Sequence, residues 1–327
     1  MTEQESVPSY GEPFATLPID AARKLRAIGP VWGTDIHRYR KLVVDTYTPI
    51  VAQARVSQQI EVEHDLPYGP HERQRLDVFR KGSGSGSKAF RGVRDVIVFV
   101  HGGAFIRGYK SFNGEIYDNV SYWFASRGFV AVNIEYRLAV DAPYPGGALD
   151  VARAVTWIRD NIASRGGNPE RIFLIGHSAG GTHVATYLAD PACNGVAKTG
   201  VSGAILIGGR LYADVRPENP NANGVREYFG EDQSMYDQRS PLTYADRLAC
   251  PLMLVVAEFE NPLLDQYGFS FADRVGRAHK VPMRFIQLRG HTHTSSVAHF
   301  NSGENYLGNE IVAFIAATTS VWLGNGI

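Results

Sequence analysis

Cysteine is nearly missing: Cys193 and Cys250 are the only two in a chain of 327 residues. Two cannot build a disulfide framework or a cysteine-rich metal site, so they are expected as free thiols in a reducing cytoplasm. A surplus of charge is also missing, since 33 basic residues face 33 acidic ones. A balanced chain lacks the positive field that attracts nucleic acid or an anionic membrane surface, so neither is expected as a partner. No apolar run approaches the roughly 20 residues that span a bilayer. Residues 1–10 are polar and acidic. They lack the basic start and apolar stretch of a secretory signal, which again points to the cytoplasm. Without such a signal, the sequon Asn119-Val120-Ser121 reads as a coincidence. What the chain does have is 44% apolar residues, enough for a large core. Its length suits one large α/β domain with a small cap.

One stretch organises the rest. Phe173-Leu174-Ile175 is an apolar, strand-like run that ends in Gly176-His177-Ser178-Ala179-Gly180-Gly181. A helix-like stretch follows over 182–188. Gly176 to Gly180 fits the G-x-S-x-G nucleophile elbow. A strand that turns abruptly into a helix strains its turn residue and tolerates only tiny neighbours. The serine hydroxyl is thereby exposed. Ala179 would open the helix, so its N–H is free to meet a developing oxyanion.

An earlier apolar run, Val96-Ile97-Val98-Phe99-Val100, leads into His101-Gly102-Gly103-Ala104-Phe105. Its two glycines let the backbone aim N–H groups into a small space, so Gly102 and Gly103 are expected as the other half of an oxyanion hole. His101 is read as a loop anchor. Around these motifs, strands are expected over 60–64, 76–80, 129–134, 171–175, 201–207, 252–257 and 283–288. Helices are expected over 115–127, 148–164 and 305–317, with a short apolar tail after 318. The strand–helix alternation argues a mostly parallel sheet with helices on both faces. Residues 20–28 and 35–56 read as two leading helices, the second with a stripe at Ile36, Tyr39, Leu42, Val43 and Tyr47. They are read as an N-terminal helical cap over residues 1–57, ahead of a catalytic domain over 58–327. Residues 81–88 read as a low-complexity linker. Gly82-Ser83-Gly84 is not taken as a phosphate loop, because no helix opens after it and no Walker pair follows.

The elbow also requires a carboxylate and then a histidine, in that chain order. Glu258, Glu260 and Asp265 follow the strand over 252–257, and His291 and His293 follow the strand over 283–288. The two histidines have no third ligand at a spacing that suits a metal, so no metal is expected. An excursion over about 208–250 is rich in proline and asparagine near 215–224. Tyr212, Tyr228 and Phe229 within it, with Phe105 and His177, are expected to line a substrate pocket.

His101-Gly102-Gly103-Ala104-Phe105, Tyr136-Arg137-Leu138-Ala139, Tyr144-Pro145 and the elbow together resemble the hormone-sensitive-lipase-type carboxylesterases of the α/β-hydrolase fold. Kynurenine-formamidase-like and feruloyl-esterase-like members of that fold are similar too. The resemblance spans most of residues 58–320. It implies serine hydrolase chemistry through an acyl-enzyme, with no organic cofactor. It places the acid at Glu260, ahead of Asp265 and Glu258, and the base at His293 rather than His291. The expected substrate is a small to medium carboxylic ester, with amide cleavage by the same triad as the alternative. Arylformamidases carry an aromatic pair where this chain has Ala104-Phe105, which favours the ester. A homodimer is compatible with this reading.

Overall fold

The apolar runs become the strands of one sheet. In this computed structural model, residues 12–82, 93–193, 195–196, 198 and 200–323 are described, with side chains to 318. The strands are β1 (Ile60–Pro67), β2 (Arg75–Lys81), β3 (Arg94–Val100), β4 (Val130–Ile134), β5 (Gly167–His177), β6 (Val201–Ile207), β7 (Leu252–Phe259) and β8 (Met283–Thr292). Their spatial order is β1-β2-β4-β3-β5-β6-β7-β8. β2 runs antiparallel to both neighbours, and every other pairing is parallel. Val98 stands opposite Val132 on one side and Leu174 on the other. The strand order reverses around β3, and a crevice opens there at the carboxyl ends of the strands.

The helices are α1 (Ile19–Ile28), α2 (Ile36–Val56), α3 (Asp118–Ser126), α4 (Gly146–Asn161), α5 (Ala179–Ala189), α6 (Ala222–Phe229), α7 (Tyr236–Arg239), α8 (Leu264–Ala278), α9 (Ser295–Ala298) and α10 (Tyr306–Leu323). Alternate strand residues feed opposite faces, as the period of two demands. Val96, Val98, Ile172 and Leu174 join α4, α5 and α8 in one buried cluster. Ile97, Phe99, Phe173 and Ile175 join α2, α3 and α10 in another. Among the described residues no helix is long and apolar enough to cross a membrane. Cys193 and Cys250 are buried and unpaired; burial pushes their thiols up to about 11 and about 12.

Several element boundaries differ from the sequence reading; the strand expected over 171–175, for one, runs over Gly167–His177. The helix expected from residue 115 starts at Asp118, because Phe112 and Ile116 pair as a short bridge and Tyr117 takes φ 80°. The strand expected to end at 288 continues to Thr292. The last helix runs on to Leu323, where a tail was expected after 318; residues 324–327 lie outside the described residues, as do 1–11 and 83–92, which take in 83–88 of the expected linker. The sequon residue Asn119 is buried, and its amide donates to the carbonyls of Val297, Ala298 and Phe300, so it offers nothing to a glycan.

The leading helices pack onto the sheet side that holds the second cluster. Val43, Val44, Tyr47 and Val51 of α2 are buried there. Polar bonds pin the same segment close to the crevice. The Trp32 indole donates to Asn261 Oδ1 at 3.0 Å, and the Tyr47 hydroxyl donates to Glu304 Oε1 at 2.7 Å.

Candidate active site

β5 ends at His177 and α5 begins at Ala179, so Ser178 alone turns the chain, at φ 56° and ψ −120°. An L-residue is held in so sparsely populated a conformation only when its surroundings over-determine it. Here the surroundings are backbone. A Cβ on Gly176 would lie 2.6 Å from the Gly180 carbonyl oxygen, and one on Gly180 would lie 2.1 Å from the Val100 carbonyl oxygen. The glycines of the elbow therefore reflect contact between β3, β5 and α5 as well as the turn itself.

The loop after β3 is equally tight. A Cβ on Gly103, whose φ is 156°, would fall 1.7 Å from the Arg107 carbonyl oxygen. One on Gly102 would lie 2.9 Å from Ser178 Cβ. His101 anchors this loop. Its ring is fully buried, lies 4.3 Å from the Tyr136 ring in a stacked arrangement, and its Nδ1 lies 2.8 Å from the Gly102 carbonyl oxygen. The Tyr136 hydroxyl donates to the His101 carbonyl at 2.9 Å, and Arg73 donates to the carbonyls of Tyr136 and Gly108. Arg137 in turn grips the buried Asp150 through two nitrogens. The Tyr136-Arg137 motif is thus scaffolding for the loop.

β7 and β8 bring the acid and the base together. His293 Nδ1 bonds Glu260 Oε1, and both side chains are buried, at 8% and 3% exposure. Glu260 Oε2 accepts the Ala257 N–H and Oε1 accepts the Asn261 N–H, so the carboxylate is fixed before it meets the imidazole. Gly208, at φ 53°, leaves room for the pair. A Cβ there would lie 2.8 Å from His293 Nδ1 and 2.9 Å from Glu260 Oε2. With Nδ1 engaged, Nε2 of His293 is the free ring nitrogen. Ser178, His293, Gly102 and Gly103 line a single cavity of about 50 Å³.

The rival residues are elsewhere. Asp265 lies in the first turn of α8 and accepts the Gln266 N–H. Glu258 is exposed and accepts the Gly290 N–H. His291 is buried against His299 and Ser295, and burial holds it well below its ordinary value. His177 does line the cavity. Its Nε2 donates to the His293 carbonyl at 3.1 Å, and its ring lies 4.7 Å from that of His293. Burial, then the neighbouring His293, holds it well below its ordinary value, so it stands there neutral.

The aromatic pocket residues expected from sequence are not in the cavity lining. Phe105 stacks on Tyr228 at 4.7 Å and meets Phe229 edge-on at 5.4 Å, and all three are buried in a cluster of their own. Tyr212 bonds Asp237 and packs on Tyr267. These rings fasten the excursion to the sheet, the ordinary use of large apolar area. What the excursion gives the cavity instead is Pro220 and Asn221. Sequence reasoning also missed Trp32, Arg40, Arg107, Tyr117 and Asn261, which line the cavity as well. The one available signal was Tyr117, a bulky residue between a short turn and a helix. Burial raises its phenol, opposed by Arg40, by the Gly102 backbone and by Arg107. The three amides expected to meet an oxyanion are those of Gly102, Gly103 and Ala179, and the first two residues line the cavity. Among the described residues no group of three or more histidine, cysteine or acidic side chains is arranged to hold a metal ion.

Comparison with known proteins finds relatives and structural neighbours named as esterases. The BD-FAE family model matches residues 87–194. A probable isoprenylcysteine alpha-carbonyl methylesterase of Arabidopsis thaliana is 25% identical over 81% of this chain and 65% of its own length. Esterase LipQ of Mycobacterium tuberculosis is 27% identical over 72% of this chain and 57% of its own. The chain thus spans less than two thirds of the length of these curated relatives. Among solved structures, a hyperthermophilic esterase of Pyrobaculum calidifontis superposes with TM-score 0.66 at 22% identity, covering 91% of this chain and 97% of that one. Brefeldin A esterase, a bacterial homologue of human hormone-sensitive lipase, superposes with TM-score 0.61 at 19% identity, covering 85% and 87%. The shared architecture is the α/β-hydrolase fold.

Proposed function

We propose that this chain, an α/β-hydrolase of the hormone-sensitive-lipase carboxylesterase type, hydrolyses carboxylic esters of small to medium size through Ser178, His293 and Glu260. One observation carries the reading. A serine on a strained strand-to-helix turn shares a small cavity with an imidazole whose far nitrogen is held by a buried carboxylate.

In this reading His293 takes the Ser178 proton as the oxygen attacks the ester carbonyl. Glu260 fixes the tautomer that leaves Nε2 unprotonated and offsets the charge the ring acquires. The oxyanion meets main-chain N–H groups of Gly102, Gly103 and Ala179. Each such donor contributes about 2.7–4 kcal/mol. His293 then protonates the leaving alcohol, and water repeats the sequence on the acyl-enzyme. The His177 bond to the His293 carbonyl, and the His293 N–H bond to the Phe259 carbonyl at 3.1 Å, hold the base in place meanwhile.

The test is labelling and turnover together. A fluorophosphonate probe is expected to modify Ser178 and to leave the Ser178→Ala variant untouched. That variant should lose about 10⁶-fold in kcat on p-nitrophenyl acetate while keeping its far-UV and thermal signature. Near-normal turnover by it would refute the assignment. An N-formyl aryl amide cleaved faster than the matched ester would move the reading to an amidase.

A further inference from the structure

Two guanidinium groups reach the cavity of Ser178 from separate parts of the chain. Arg40 comes from α2, and Arg107 from the loop after β3. Three buried or half-buried arginines elsewhere meet acids: Arg73 meets Glu135, Arg137 meets Asp150, and Arg210 meets Asp214. Arg40, half-buried, and Arg107, more exposed, have no acid partner among the described residues. Arg107 donates to Asn221 Oδ1 at 3.0 Å, and Arg40 lies 5.5 Å from the centre of the Phe112 ring. Among the described residues no aspartate or glutamate lines the cavity. Its other titratable groups are His37, Tyr117, His177 and His293, none of them an anion at neutral pH.

The two charges oppose each other. Burial, and then the charge of Arg40, holds the Arg107 guanidinium below its usual range. Like charges brought together at a partly desolvated site are unfavourable unless something else supplies the missing sign. The protein does not supply it among the described residues. A substrate can. The planar guanidinium fork matches a carboxylate in particular, through two parallel N–H donors.

We propose that the natural ester carries a carboxylate, held by Arg40 and Arg107, while its carbonyl carbon faces Ser178. This rests on the esterase reading above and adds the class of substrate to it. No bond other than the ester changes. The carboxylate is a handle, and its binding steers charged substrate toward the cavity.

The experiment compares matched esters that differ by one carboxylate. One pair is phenyl acetate and 4-acetoxybenzoate, with the charge on the leaving group. The other is p-nitrophenyl hexanoate and the p-nitrophenyl half-ester of adipate, with the charge on the acyl group. At low ionic strength, the charged member of at least one pair should show a kcat/KM at least about tenfold higher, about 1.4 kcal/mol. The advantage should shrink as salt is raised. It should vanish in the double variant Arg40→Gln/Arg107→Gln. It should persist in Arg284→Gln, whose arginine pairs with Glu310 on the outside of α10. Equal rates within both pairs in the wild type, or an advantage that survives the double variant, would overturn the proposal. If no ester is cleaved at all, the esterase reading fails first, and binding decides the rest. Calorimetric titration of benzoate into Ser178→Ala should then weaken at least about tenfold when both arginines are replaced. An unchanged isotherm would overturn the anion site on its own terms.

Discussion

Glu260 and Asp265 carry the same functional group on the same stretch of chain, and only their backbone settings tell them apart. Glu260 leaves the end of β7 in a turn where the N–H groups of Ala257 and Asn261 hold its oxygens. Asp265 is already inside α8 and is satisfied by the next amide. Glu260→Gln should therefore lower kcat on p-nitrophenyl acetate by about 10⁴-fold, through loss of the correct tautomer. Asp265→Asn should stay within about twofold. The reverse pattern would transfer the role to Asp265. The glycine–serine–glycine pattern and the acid-then-histidine order were legible because the elbow needs tiny residues at fixed offsets. Arg40 and Arg107 were not, since nothing local distinguishes a cavity arginine from a surface one. Phe105, Tyr228 and Phe229 misled for the same reason: ring size predicts burial and is silent on whether the burial faces a ligand or another ring.

At the scale of elements, the buried strands were the most legible part. Runs such as Val96 to Val100 have one reading when both faces are covered. Boundaries were less so, because tertiary contacts set them. The start of α3 shows why. Asp118 sits in its first turn, where the helix dipole favours an anion by about 0.3–1 kcal/mol. Burial opposes this and wins. Burial first raises the carboxyl to about 6, against the pull of bonds from Ser111 and Asn133. A group raised in this way adds stability that is complete below its unfolded value, roughly 3.9. The contribution is lost as pH rises through about 6. Asp118→Asn, neutral throughout, should accordingly gain on the wild type between pH 4.5 and 7.5 by on the order of 2 kcal/mol. Urea unfolding at the two pH values measures the gain. A difference that is flat or reversed across that interval would show that Asp118 is ionised and content where it lies.

At the scale of the molecule, the leading helices and the far end of the chain meet on one carboxylate. Glu304 accepts the Tyr47 hydroxyl from α2 at 2.7 Å and the Phe14 N–H from the segment before α1 at 3.0 Å. The buried His291 lies 3.7 Å from it, on the strand that delivers His293. That α2 would bury one face could be read from its apolar stripe. That it would be tied to residue 304 could not, because a bond across most of the chain leaves no local pattern. Burial raises Glu304, and the bonds from Tyr47, Phe14 and Ser302 pull it back. Tyr47→Phe removes the first of these donors and leaves a buried charge less satisfied, a loss of about 1.5–3 kcal/mol. The charged form is the one that suffers, so the deficit should be smallest below pH 4 and should grow as pH rises through the folded value of Glu304. Glu304→Gln removes the charge itself, so the second effect of Tyr47→Phe should then be much smaller. In a double-mutant cycle at pH 7.5, a coupling of about 1 kcal/mol or more is expected. Additive losses would mean that the two ends of the chain are joined by apolar packing alone, with the carboxylate incidental to it.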